Sequence, residues 1–222
     1  MTAREIVKPM DGFCFCTYDG MDECYRSALD VLRRQVPGAF VECGVAAGGM
    51  AGCFAKAMLT AGDLRPFHLF DSFVGIPIAG PRDDCQPGIG PKIADDQAPL
   101  RERLRPSGIG PATSVEQVKT QMHVYGLDDV EWIYHEGWFQ DTLPTDAAAL
   151  GPIALLHLDG DLYESTLPCL EWLWPLVSPG GTVLVDDYAL TGPRLAVEDY
   201  FKGTPPPILP WADYGSAKLV KP

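Results

Sequence analysis

The chain has 222 residues, 46% hydrophobic and 21% charged, enough apolar material for one sizeable α/β core. Lys and Arg total 17 against 30 Asp and Glu, and the resulting net charge of −13 repels phosphate backbones and anionic lipids, which sets nucleic-acid and membrane partners aside. No apolar run approaches the roughly 18–20 residues that span a bilayer, and the opening MTAREIVKPMDG has no apolar signal core, so a cytoplasmic protein is expected.

Residues 1–20 are polar, with Gly12 and Gly20 as breakers. Asp22 to Arg34 places Ala28, Val31 and Leu32 at helical spacing and should end at Pro37-Gly38. AFVEC (39–43) is a short apolar run before a glycine cluster, hence a buried strand, and Gly49 to Ala61 reads as a helix. FHLFD (67–71) is the second strand. From Phe73 to Ser114 the chain is crowded with Gly and Pro, far longer than an ordinary connection, and it reads as a functional insertion. A short basic helix near Leu100–Leu104 interrupts it, and its cations Arg82, Lys92, Arg101, Arg103 and Arg105 are expected mostly at solvated surface. Alternation then resumes: helix 115–125, strand 130–135, strand 153–159, helix 166–177, strand 181–187, helix 194–201, and a closing pair of strands at 208–211 and 217–221. Strands alternating with helices give a mostly parallel sheet covered on both faces. The seven cysteines form no paired framework and no Cys-x-x-Cys, so all are expected to be reduced thiols.

In such sheets a ligand sits beyond the carboxyl ends of the strands, so the residues after each strand carry the chemistry. The first strand ends in Glu42-Cys43-Gly44-Val45-Ala46-Ala47-Gly48. Glycines there let backbone approach a ligand, and the E-x-G-x-x-x-G spacing departs from the G-x-G-x-x-G pyrophosphate fingerprint. An acidic residue just before the glycine suits a ligand with an ammonium group, such as a methionine tail. Asp71-Ser72 ends the second strand, where a carboxylate can accept both hydroxyls of a ribose; a turn or capping aspartate is the plainer alternative. Past the next strand, in Glu136-Gly137-Trp138-Phe139, the aromatics can stack on a purine, whereas Phe139 reads better as an apolar staple. Leu158-Asp159-Gly160-Asp161 and Val185-Asp186-Asp187-Tyr188 end adjacent strands. Carboxylates at neighbouring tips repel unless protons or a cation intervene, and Mg²⁺ prefers oxygen ligands. Asp159, Asp186 and Asp187 are therefore candidate Mg²⁺ ligands, with helix caps as the alternative.

FVECGVAAGG, FHLFDSFVGIP, EGWFQDTLP, LLHLDGDLYEST and SPGGTVLVDDY together resemble the macrocin O-methyltransferase family in order and spacing, from about Asp22 to Tyr200. The resemblance implies a Rossmann-like class I methyltransferase fold over residues 1–222: a mostly parallel seven-stranded sheet, an N-terminal helical segment at 1–36 and a lid insertion at 73–114. It implies S-adenosylmethionine and Mg²⁺ as cofactors and a hydroxyl of a small molecule as acceptor, a natural-product sugar among the choices. It places Glu42, Gly44, Val45, Gly48, Asp71, Ser72, Glu136, Gly137, Trp138 and Asp159 around the cofactor, with Asp159, Asp186 and Asp187 on the metal and Asp159 as the base. Catechol-type relatives use a lysine three residues after the first aspartate; here that position is Leu162, which argues against a lysine mechanism. The run AGPRDDCQPGIGPK does not resemble the lid of the sugar-modifying members, and His157 stands where an arginine is expected. A homodimer through the N-terminal segment is a further expectation. Three rival readings stay open: a metal-independent methyltransferase, a non-catalytic nucleoside-binding module, and a NAD-dependent oxidoreductase, the last disfavoured by the glycine spacing.

Overall fold

The computed structural model describes residues 3–10, 12, 14, 16–83, 99–108, 110, 112–210 and 215–222. Seven strands form one sheet: β1 (Ala39–Cys43), β2 (Phe67–Asp71), β3 (Trp132–Glu136), β4 (Ile153–Leu158), β5 (Val177–Val185), β6 (Leu209–Pro210) and β7 (Ala217–Val220), in the order β3-β2-β1-β4-β5-β7-β6. The five strands from β3 to β5 are mutually parallel, and β7 pairs antiparallel with both β5 and β6. The expected seven-stranded, mostly parallel sheet and its closing strand pair are thus both present. Strand order reverses between β1 and β4, which makes their carboxyl ends the switch point.

Strand side chains alternate between two cores. Phe40, Leu155 and Leu184 pack with α2 (Tyr18–Arg33), α3 (Gly49–Ala61) and α5 (Val115–Val124). Val41, Leu156 and Val183 pack with α6 (Phe139–Asp146), α7 (Tyr163–Leu173) and α8 (Thr191–Tyr200). The remaining α-helices among the described residues, α1 (Ala3–Val7) and α4 (Leu100–Arg103), are short. Among the described residues no helix is long and apolar enough to cross a membrane.

Several element boundaries differ from the sequence expectation. Helix α2 starts four residues early, because Thr17 caps it by accepting from the Gly20 amide, and Gly20 lies buried in its first turn instead of breaking the chain. Helix α7 ends at Leu173, and β5 begins at Val177, where the chain pairs with Ile153. Helix α6 has no counterpart in the sequence reading; it carries Pro144 internally, a residue that costs a helix interior a hydrogen bond and argues against one. The two described arms of the insertion pair with each other. The Ser107 amide donates to the Ile76 carbonyl at 2.9 Å, the Ile78 amide donates to Arg103 at 3.2 Å, and Pro77 bridges Pro106. Most of the distinctive run after Asp83, including Lys92, lies outside the described residues.

Of the insertion's described arginines, Arg82, Arg101 and Arg105 are exposed, as expected for most of them, although two of these are ion-paired; Arg103 is the exception. Arg103 is buried and forms a two-pronged ion pair with Glu164 at the start of α7. Arg82 pairs with Asp199 and donates to the Tyr163 hydroxyl at 2.7 Å, and Arg101 pairs with Asp141. Asp83 is buried as well, and its two oxygens accept from the Gly80 and Tyr163 amides at 2.9 and 2.8 Å. Asp83 thereby satisfies the first amide of α7, which has no side-chain cap of its own.

Candidate cofactor and metal site

The carboxyl ends of β1, β2, β4 and β5 open into one cavity of about 470 Å³, within the ~300–1,000 Å³ range of small-molecule sites. Gly44 takes φ +96°, and a Cβ there would stand 1.7 Å from the Asp159 carbonyl oxygen. The glycine is therefore required by the close approach of the β1 and β4 tips, a constraint the sequence reading assigned to a ligand. Beyond it Ala46 sits at φ +47°, a conformation that costs a non-glycine residue energy unless its surroundings hold it. Two groups hold it. Asp71 Oδ2 accepts from the Val45 and Ala46 amides at 2.7 and 2.9 Å, and the Thr113 hydroxyl donates to the Ala46 carbonyl at 2.9 Å. Asp71 Oδ1 accepts from the Phe73 amide at 2.7 Å. Three of its roughly four acceptor positions are thus taken by backbone. The side chain expected to receive a ribose also clamps the glycine loop.

Of the expected cofactor residues, Glu42, Gly44, Val45, Asp71, Ser72, Gly137, Trp138 and Asp159 line the cavity. Gly48 and Glu136 do not. Gly48 is the N-cap of α3 at φ +85°, with Met122 and Val118 against its open face. Glu136 is exposed at the end of β3, an edge strand. Phe139 both packs on the second core and faces the cavity. Cys14 and Cys16, ahead of α2, reach the same cavity, as do Met50 and Gln140; no local sequence pattern marks them.

Glu42 is completely buried yet lines the cavity. Its Oε1 lies 3.0 Å from His157 Nδ1, and its Oε2 has no hydrogen-bond partner. Burial raises its pKa, and the contact with His157 opposes that rise. A buried carboxylate oxygen without a donor is costly, and a cationic group entering the cavity would relieve it.

At the tips of β4 and β5 the backbone is again unusual: Asp161 and Asp187 take φ +61° and +51°. These conformations turn both carboxylates into the cavity beside Asp159 and Asp186. Donor atoms of Asp159, Asp161 and Asp187 lie within 4.8 Å of one another, and so do those of His157, Asp159 and Asp186. The expected trio is therefore distributed over two overlapping groups that share Asp159, with Asp161 and His157 added. Asp186 also accepts a hydrogen bond from Ser216 on the approach to β7. The carboxyl pKa values of Asp159, Asp161 and Asp187 are all raised, first by burial and then by the neighbouring carboxylates. Asp159, Asp161 and Asp187 make an all-carboxylate set, and its mutual repulsion fits a hard divalent cation.

The model of the Macrocin-O-methyltransferase (TylF) family matches residues 7–205. The chain belongs to this family. The 8-demethyl-8-(2,3-dimethoxy-alpha-L-rhamnosyl)-tetracenomycin-C 4'-O-methyltransferase of Streptomyces olivaceus is 42% identical over 185 residues, covering 82% of this chain and 64% of that protein. Mycinamicin III 3''-O-methyltransferase of Micromonospora griseorubida is 35% identical, covering 82% of this chain and 66% of that protein. The chain thus spans just under two thirds of the length of these curated relatives. Among solved structures, that of the O-methyltransferase NovP superposes with a TM-score of 0.75 at 31% identity, covering 92% of this chain and 80% of that one. The fold is the Rossmann-like one of class I methyltransferases.

Proposed function

We propose that this family member transfers a methyl group from S-adenosylmethionine to a hydroxyl of a small molecule, a sugar of a natural product, with Mg²⁺ held by Asp159, Asp187 and their neighbouring carboxylates. The observation that carries the reading is that one cavity is lined by the clamped glycine loop, by Glu42 with its unpartnered Oε2, and by the carboxylate cluster. The two curated relatives are both named as O-methyltransferases, one of them for a rhamnosyl compound, which supports the choice of acceptor.

When bound, S-adenosylmethionine supplies an electrophilic methyl on a positively charged sulfur, and Mg²⁺ lowers the pKa of the hydroxyl that approaches it. The remaining work falls to the chain. Glu42 Oε2 accepts from the ammonium of the amino-acid end. Asp71 and Thr113 fix the loop beside it. Gly137 and Trp138 flank the nucleoside end, and Ile76, Pro77 and Gly110 of the insertion form the outer wall on the acceptor side. In-line displacement is mainly a matter of orientation, so these fixed walls supply much of the rate. Asp159 takes the proton the hydroxyl releases as the oxygen–methyl bond forms and the sulfur–methyl bond breaks.

The test is transfer of isotopic methyl from S-adenosylmethionine to a panel of glycosides with free hydroxyls, with the product located by mass spectrometry. The reading expects label on a sugar oxygen, loss of turnover by at least ~10²-fold in Asp159→Ala, and loss in chelator restored by Mg²⁺. Unchanged turnover in Asp159→Ala, or in chelator, contradicts the carboxylate mechanism.

A further inference from the structure

His157 has no part in the mechanism above, yet it is fully buried directly beneath the cavity. It is the register partner of Glu42 across β1 and β4, so both side chains leave the sheet on the same face. On that face the edge of Phe54 of α3 packs against the imidazole, with ring centroids 5.3 Å apart. With Glu42 ionised its carboxylate can only accept, and His157 Nδ1 then donates to Oε1 across the 3.0 Å contact. The Glu42 carboxylate is then fixed in rotation. One oxygen is held in the sheet, and the other, without a partner, belongs to a residue of the cavity wall.

We infer that His157 is a positioning residue for recognition of the amino-acid end of the cofactor: by holding Glu42 Oε1, it presents Oε2 to the ligand's ammonium group. The inference rests on the functional reading above and adds a division of labour to it. The nucleoside end is bound without His157, and the amino-acid end depends on it. Phe54 packs edge-on with the imidazole, and the donor contact to Glu42 is present without any ligand. Glu42 pays no reorientation on binding, the usual benefit of a preorganised site.

The experiment is calorimetric titration of the full chain with two ligands, S-adenosylhomocysteine and 5'-methylthioadenosine, which share the nucleoside but differ in the amino-acid tail. His157→Leu removes the donor at similar bulk. It is expected to weaken S-adenosylhomocysteine by at least about tenfold while leaving methylthioadenosine within about twofold. His157→Asn places an amide donor where Nδ1 stood, and it should restore most of the lost affinity. His157→Gln reaches the Nε2 position instead and should not restore it. The Asn and Gln pair decides the matter if the leucine variant does not fold. Equal weakening of both ligands, or equal affinities in the Asn and Gln variants, overturns the inference and reduces His157 to a core residue. Wild-type protein that binds neither ligand overturns the functional reading, and this inference with it.

Discussion

Replacing Asp71 separates two roles that the sequence could not tell apart. As a ribose acceptor alone, Asp71→Ala would cost cofactor affinity and leave the apoprotein as stable as before. In the structure its carboxylate accepts three backbone amides at 2.7, 2.9 and 2.7 Å, and two of them come from the loop that holds Ala46 at φ +47°. Hydrogen bonds to a charged group contribute about 1.5–3 kcal/mol each, and the open cavity lets water replace part of what is lost. A net loss of roughly 2–4 kcal/mol of folding stability is therefore expected. Asp71→Asn retains one acceptor oxygen and should lose about half as much. Urea unfolding of the ligand-free protein measures this directly, read as a shift in midpoint at unchanged slope. S-adenosylhomocysteine titration of the same variants then reports the effect on binding. Stability within about 0.5 kcal/mol of wild type, with affinity lost, would refute the clamp and return Asp71 to ribose binding alone.

Two further outcomes follow from the packing. Gly44→Ala would push a methyl group into the Asp159 carbonyl at φ +96°, so it should destabilise the fold by roughly 3 kcal/mol or more; a urea midpoint equal to wild type would contradict the contact. His68, stacked on His135 and hydrogen-bonded to it at 3.0 Å, has its pKa lowered to about 4 by burial and then by His135. Below its ordinary value of 6.5 the unfolded chain binds a proton that the fold refuses, so this contribution is present above about pH 6.5 and lost as the pH falls to about 4. The loss is at most about 3 kcal/mol. His68→Gln should flatten the decline in urea midpoint across that window, and an identical decline in both proteins would contradict it.

The sequence carries the sheet because strands covered on both faces are continuous apolar runs, and AFVEC, FHLFD and IALLHL have no other buried use. The strand-tip carboxylates were legible for the related reason that charge has few places at the end of such a run. What escaped lay in tertiary contact. Gly44 looks like a ligand glycine until the Asp159 carbonyl is placed beside it. Helix α6 was hidden by Pro144, whose cost the packing of Leu143 and Ala147 on the second core offsets. Arg103 looked like solvent-facing charge, and only its fork against Glu164 allows it to be buried. Cys14 and Cys16 line the cavity from outside the strand tips, which no spacing announces.

The most direct test of the account is a calorimetric titration of the purified chain with S-adenosylhomocysteine, in the presence and absence of Mg²⁺. The account predicts micromolar binding of the nucleoside ligand, together with a separate Mg²⁺ heat that disappears in Asp159→Ala. No binding of the ligand in either condition would contradict the methyltransferase reading, and a Mg²⁺ heat that survives in Asp159→Ala would contradict the metal site.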